Sequence, residues 1–452
     1  MKSARLGEVA ESMKNGMYKP ASEYGDDGIP CLRMYNIDAG GIVWRDIKRM
    51  RVSDTERVDY GLLEGDLLVN RVNSRELVGK TAVIPFGMGP SVFESKNIRL
   101  RLKADKARAK FINYQLLASG RHHFAGNAQQ VVGMASISQT QLADFPIVLT
   151  SLERQDKIVA EIEKQFSRLD KAVANLQRVK ANLKRYKASV LKDAVEGRLV
   201  PTEAELARSE GRSFETGAQL LQRILEVRRE EWKGRGKYKE PVAVNTDALP
   251  TLSYGWTWAT IEQLTYLVTS GSRGWGDFYS DNGVLFIRAQ DIKTDALNMN
   301  GLARVDVPVD AEGSRSSVGA NDILVTITGA NVTKSALVPL LSEPAFVSQH
   351  VALLKLTSSD TAAFVFNWLV SPANGRKTLE KWAYGAGKPG LSLEQVRALP
   401  VALPPLAEQT RIVDEVERRL SLVRSVESEV DANLKRAQSL RQATLQKMFR
   451  VR

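Results

Sequence analysis

Ser74-Arg75-Glu76-Leu77-Val78-Gly79-Lys80-Thr81 is the stretch of this 452-residue chain that comes nearest to a nucleotide-binding signature. It differs from a phosphate-binding loop in having Ser where the first glycine belongs. The residues that follow, Thr81-Ala82-Val83-Ile84-Pro85, read as a strand and not as the helix whose N-terminus would cradle a phosphate, so ATP binding is rejected. Gly385-Ala386-Gly387-Lys388-Pro389 reads as a turn with Pro after its Lys. A self-contained adenine methyltransferase needs Asn or Asp before Pro-Pro and an aromatic residue after it. Here the one Pro-Pro, Pro404-Pro405, stands between Leu403 and Leu406. A single cysteine, Cys31, and three histidines, His122, His123 and His350, argue against an internal disulfide, a thiolate zinc site or histidine-rich metal chemistry. The expected catalytic set is empty, and so is the metal set.

The chemistry that remains is recognition of a polyanion. The net charge is +12 and the pI about 9.6, which favours partners carrying phosphates. Reading DNA takes cations for phosphates and amide or guanidinium groups for base edges. The candidates in the first half are Arg33, Asn36, Arg71, Asn73, Ser74, Arg75, Lys80, Lys96, Asn97, Gln129 and Gln130. Those in the second half are Arg273, Arg288, Gln290, Thr326, Thr328, Asn331, Lys334, Gln349, His350 and Lys388. For each, the bland alternative is a solvated loop charge or an amide that stabilises a turn.

These residues need a scaffold, and the scaffold is periodic. Val159, Ile162, Phe166, Leu169, Val173, Leu176, Leu183 and Val190 follow the alternating three-and-four spacing of a coiled-coil seam, with neither Gly nor Pro between Ser151 and Val195. At about 1.5 Å per residue such a helix is on the order of 65–70 Å long. The C-terminus repeats it with Val413, Val416, Leu420, Val423, Val430 and Leu434. An offset of 254 pairs Pro146 with Pro400, Ile158 with Ile412 and Leu191 with Leu445, so the chain is a tandem duplication. Two copies at one offset predict an intramolecular antiparallel pair of helices. Arg178, Lys180, Lys184, Arg185, Lys187 and Lys192 make the outer face of the first helix basic, which a solvated surface explains as well as a spacer contact.

The domain reading is 1–148 as a first globular unit, 149–200 as a long helix, 201–248 as a charged helix and linker, 249–403 as a second globular unit, and 404–452 as the returning helix. The two globular units have short strands and few helices, an α/β (α+β-like) pattern unlike a doubly wound sheet, and Leu6 to Met13 reads as a short helix. The same framework recurs in both: GDLLVNR (65–71) matches NDILVTI (321–327), and KTAVIP (80–85) matches KSALVP (334–339). The loops between differ, as in two related modules that read different targets.

The chain thereby resembles the specificity subunit of type I restriction–modification systems. The resemblance is carried by Pro404-Pro405-Leu406-Ala407-Glu408-Gln409 and its degenerate first copy Thr150-Ser151-Leu152-Glu153-Arg154-Gln155. Leu249-Pro250 with Tyr254-Gly255-Trp256-Thr257-Trp258, Gly65-Asp66-Leu67-Leu68-Val69, and Lys187-Ala188-Ser189-Val190-Leu191 with Gly197-Arg198-Leu199 add to it. The resemblance implies a non-catalytic subunit with two target recognition domains, related by a pseudo-two-fold and separated by two antiparallel helices. It implies double-stranded DNA as partner, read as a bipartite asymmetric site. It further implies two modification subunits and two restriction subunits, with S-adenosylmethionine, ATP and Mg expected in those partners and no cofactor in this chain. The rival reading is an orphan or regulatory coiled-coil scaffold without active target reading. Without a run of eighteen apolar residues or a signal-peptide hydrophobic region, the sequence predicts a soluble cytoplasmic protein away from membranes.

Overall fold

The computed structural model describes all residues except 132, 233–235, 272–273, 308–312, 386–388 and 451–452. The chain divides into two compact units, Met1–Arg178 with Glu429–Arg452, and Val179–Ser428. The units therefore do not end where the long helices begin. Each takes part of the central helix, Leu152–Val195, and part of the C-terminal helix, Leu406–Phe449.

Both units are built on one strand plan. In the first, a four-stranded sheet orders Ala10–Asn15, Asn97–Leu102, Leu67–Asn70 and Thr81–Val83. In the second, Thr265–Ser270, Val351–Leu356, Ile323–Thr326 and Ser335–Leu337 repeat that order. Beside it, Tyr24–Leu32 lies between Lys48–Met50 and a parallel Val92–Phe93. Tyr279–Ile287 likewise lies between Ala303–Val305 and a parallel Ala345–Val347. The expected helix at Leu6–Met13 is cut short: only Leu6–Val9 is helical, and Ala10–Asn15 becomes the edge strand of the sheet. Its polar AESMKN composition hides the strand, since an edge strand buries little of itself.

The paired motifs GDLLV and NDILV have a common physical cause. The residue entering each strand is in the left-handed region, Gly65 at φ 80° and Asn321 at φ 66°, and these are the residue types that tolerate it. The next residue is a buried aspartate that accepts a turn N–H, from Leu63 to Asp66 at 2.8 Å and from Gly319 to Asp322 at 2.7 Å. Each aspartate also meets a cation on the neighbouring strand, Arg101 at 2.8 Å and Lys355 at 2.6 Å. Burial raises the Asp322 carboxyl above its ordinary range, against the pull of Lys355.

In the first unit the start of the central helix shares a core with the end of the C-terminal helix, through Ile162, Phe166 and Leu445. Arg441 covers the Phe166 ring at 4.2 Å and pairs with Asp170 at 2.8 Å. In the second unit Val190, Leu191 and Ala194 pack in one core with Ile412, Val416 and Leu420. Start beside end in each unit is antiparallel packing. All fourteen seam positions named from the sequence are buried or half-buried.

The Pro-Pro-Leu-Ala-Glu-Gln stretch ties the second unit together. Glu408 is fully buried; Oε1 accepts from Trp256 Nε1 at 2.9 Å and Oε2 from the Glu203 N–H at 2.8 Å. Burial pushes the Glu408 carboxyl above its ordinary range. Burial works the same way on the Glu203 carboxylate, but Arg212 and Arg411 hold it below its ordinary range. In the first unit Arg154 replaces the glutamate and is exposed, while Gln155 keeps the buried role, donating to the Lys106 and Thr150 carbonyls. A helix of the second unit, Gly217–Glu230, buries Leu220 and Ile224 against Ala259 of the strand Thr257–Thr260. A Cβ on Gly217 would fall 2.2 Å from the Leu403 carbonyl oxygen, so that close approach requires glycine. The strand at the same place in the first unit, Lys2–Arg5, is polar and mostly exposed.

Candidate nucleic-acid interface

In the first unit the strand Tyr24–Leu32 runs into a tight turn framed by Asn36. Its amide accepts from the Arg33 N–H at 3.0 Å and donates to the Val43 and Arg45 carbonyls, each at 3.1 Å. The turn thereby presents Tyr35, 68 % exposed, with the Arg33 guanidinium 5.6 Å from its ring centre. Tyr35, Asp38, Arg45, Asn73, Leu77 and Lys80 line a cleft of about 260 Å³. Lys80 Nζ stands 3.9 Å from Asp38. Arg75 is exposed and donates to the Ala125 carbonyl, while Arg71, Ser74 and Lys96 are half-buried on the same loops. The strand after Lys80, Thr81–Val83, leaves the phosphate-loop look-alike without a helix.

The second unit builds the same turn. Asp291 accepts from the Arg288 N–H at 2.9 Å and holds the Arg288 guanidinium with both oxygens at 3.0 Å. This pairing raises the Arg288 pKa above its ordinary value. Trp275, Tyr279, Arg288, Gln290, Gln349 and His350 line a cleft of about 320 Å³. Its floor is aromatic: Trp275 stacks on Phe286 with ring centres 5.4 Å apart. Gln349 Nε2 and His350 Nε2 are 3.3 Å apart at its rim. Lys334 donates to Asn331 at 2.7 Å, and Asn331 to the Ala289 carbonyl at 3.2 Å.

Four of the six lining residues named for the second cleft, Arg288, Gln290, Gln349 and His350, stood in the sequence-derived set. Other members are placed differently. Asn36 and Asn97 are fully buried, and Asn97 donates to the Leu32 carbonyl and accepts from Asn70. Asn73 bonds Asn70 and the Ser74 N–H. Thr326 is fully buried in its strand. The structure corrects Asn36, Asn97 and Thr326 to framework, taken up inside the fold, while Asn73 is buried in the wall of the first cleft. Gln129 and Gln130 lie on the strand Gln129–Val131, with Gln129 exposed, and Thr328 is half-buried. Arg273 and Lys388 lie outside the described residues. A search for hydrogen-bonding groups passes over the exposed Tyr35 and Tyr279, whose faces can stack on bases, and the buried Trp275 beneath the second cleft; Arg45 also lines the first cleft. On the central helix Arg178, Lys184, Arg185 and Lys192 are exposed.

Cys31 lies fully buried in a cluster with Met17, Met50 and Val92, and burial pushes its thiol up to about 12. Among the described residues no three His, Cys, Asp or Glu are grouped to hold a metal ion, and no helix is long and apolar enough to cross a membrane.

Each unit is a sheet module carrying a cleft lined by cationic, amide and aromatic side chains. In comparison with known proteins, residues 314–427 match the type I restriction modification DNA specificity domain. The chain is 25 % identical over 450 residues to the type I restriction enzyme EcoBI specificity subunit of Escherichia coli, covering 97 % of this chain and 83 % of that one. It is 32 % identical over 174 residues to the putative type I restriction enzyme MjaX specificity subunit of Methanocaldococcus jannaschii, 36 % of this chain and 39 % of that one. A chain from a structure concerned with complex assembly and conformational transition of the type I R-M system shares the fold, with a TM-score of 0.64 and 17 % identity over 99 % of this chain and 97 % of that one. The chain thus carries a match to the type I DNA specificity domain over part of its second half, and is similar along its length to a specificity subunit of a type I restriction enzyme.

Proposed function

We propose that the chain reads a bipartite, asymmetric site in double-stranded DNA, one half with each unit, and docks modification and restriction subunits. One observation carries this reading. The same turn, built by the same bonds, holds Tyr35 at its exposed crest in one unit and Gln290 in the other. Two copies kept for one half-site sequence would have no use for that difference. The two long helices are assigned the unread spacer and the docking of partners, two modification and two restriction subunits. S-adenosylmethionine, ATP and Mg act in those partners, and the complex works in the cytoplasm.

The test is selection from a pool of randomised duplexes by the full chain bound to its modification subunit. Two short, unlike elements at a fixed separation are expected. Retention of DNA without sequence preference would favour the orphan scaffold and overturn the proposal.

A further inference from the structure

The two clefts differ in some positions and agree in others, and the pattern divides their labour. The turn of the first unit is closed by the Val43 N–H on the Asn36 carbonyl, and that of the second by the Asn298 N–H on the Asp291 carbonyl, each at 2.9 Å. That match places Tyr35 and Gln290 at one framework position, both exposed. A second pair of bonds fixes another equivalence. The Asn70 N–H meets the Lys80 carbonyl at 2.7 Å, and the Thr326 N–H meets the Lys334 carbonyl at 2.8 Å. At that position both units keep a lysine.

A duplex offers two readers the same phosphates and different bases. A side chain that meets phosphate has no reason to change between the copies, and one that meets a base edge must change when the half-sites differ. Resting on the DNA-reading proposal above, we infer that Tyr35 and Gln290 are the base-reading residues of their units, while Lys80 and Lys334 anchor each unit on backbone phosphate. The Gln290 amide has the donor and acceptor pair that fits the major-groove edge of adenine. Tyr35 offers an aromatic face and one hydroxyl, suited to stacking or to contact with a thymine methyl. Lys334 donates to the neutral Asn331 amide oxygen, and Lys80 stands 3.9 Å from the exposed Asp38 carboxylate.

The experiment compares the full chain, in complex with its modification subunit, with Gln290→Ala, Tyr35→Ala and Lys334→Ala in the randomised-duplex selection and in binding across a salt series. Gln290→Ala is expected to relax discrimination on the order of 10-fold at one base pair of one half-site. Tyr35→Ala is expected to relax the other half-site. Lys334→Ala is expected to keep the selected sequence while the slope of log affinity on log salt falls by about 0.9. Should an alanine variant fail to fold, Gln290→Glu and Lys334→Gln repeat the comparison with side chains of the same size. A Gln290 variant that selects the unaltered sequence, or a Lys334 variant that selects a different one, overturns the inference. A native complex that selects no sequence overturns the DNA-reading proposal itself, and this inference with it.

Discussion

Replacing Glu408 by alanine strikes the node where the C-terminal helix, the helix beginning at Glu203 and Trp256 meet. The carboxylate is fully buried and accepts from the Trp256 indole and the Glu203 N–H, at 2.9 and 2.8 Å. Truncation leaves two buried donors without acceptors, each costing about 1–3 kcal/mol, or about 4 kcal/mol together. In a unit of this size about 1 kcal/mol moves the melting temperature by roughly 2–4 °C, so the expected loss is on the order of 10 °C. Glu408→Gln keeps one acceptor oxygen and should lose about half as much. The sign with pH follows from burial. The folded carboxyl titrates above its ordinary value, so its stabilising contribution is present at low pH and is lost as pH rises through the folded value. The advantage of the native protein over Glu408→Gln should therefore be larger near pH 4 than near pH 7. The assay is thermal unfolding followed by tryptophan fluorescence. An alanine variant that melts within about 2 °C of the native protein, or a glutamine variant as damaged as the alanine, would refute the reasoning.

Other outcomes follow from the same structure. Asp322→Ala leaves the half-buried Lys355 and the Gly319 N–H without their acceptor and should destabilise the second unit by about 1–3 kcal/mol, measured by denaturant unfolding. Ile162→Ala, in the core shared with Phe166 and Leu445, should cost about 2–5 kcal/mol, with proteolysis opening the first unit before the second. The Cys31 thiol, raised to about 12 by burial, should stay silent to a thiol reagent near pH 8 until denaturant is added. Lys184→Gln with Arg185→Gln, on an exposed helix face, should change stability by no more than about 0.5 kcal/mol in the same unfolding assay.

The helices and the duplication were legible because a seam must repeat with the helix and a copied framework must keep its spacing. Ile162, Phe166, Val190 and Val416 are buried for the reason their periodicity implied. Ion-pair partners were not legible: Asp66 finds Arg101 across neighbouring strands, a pairing that only strand register reveals. The strand Ala10–Asn15 overlaps the helix expected at Leu6–Met13 because an edge strand that is nowhere fully buried shows no apolar alternation to follow. Within the site, residue type alone could not separate a reader from a frame. Asn36 and Gln290 carry the same amide chemistry, yet one closes a turn from inside and the other stands at its crest.

The most direct measurement is genome-wide mapping of N6-methyladenine in cells that carry the cognate modification subunit, with and without this chain. The account predicts methylation at a split asymmetric motif that appears only with the chain present. A stable complex of the two subunits that adds no methylation at any motif would contradict it.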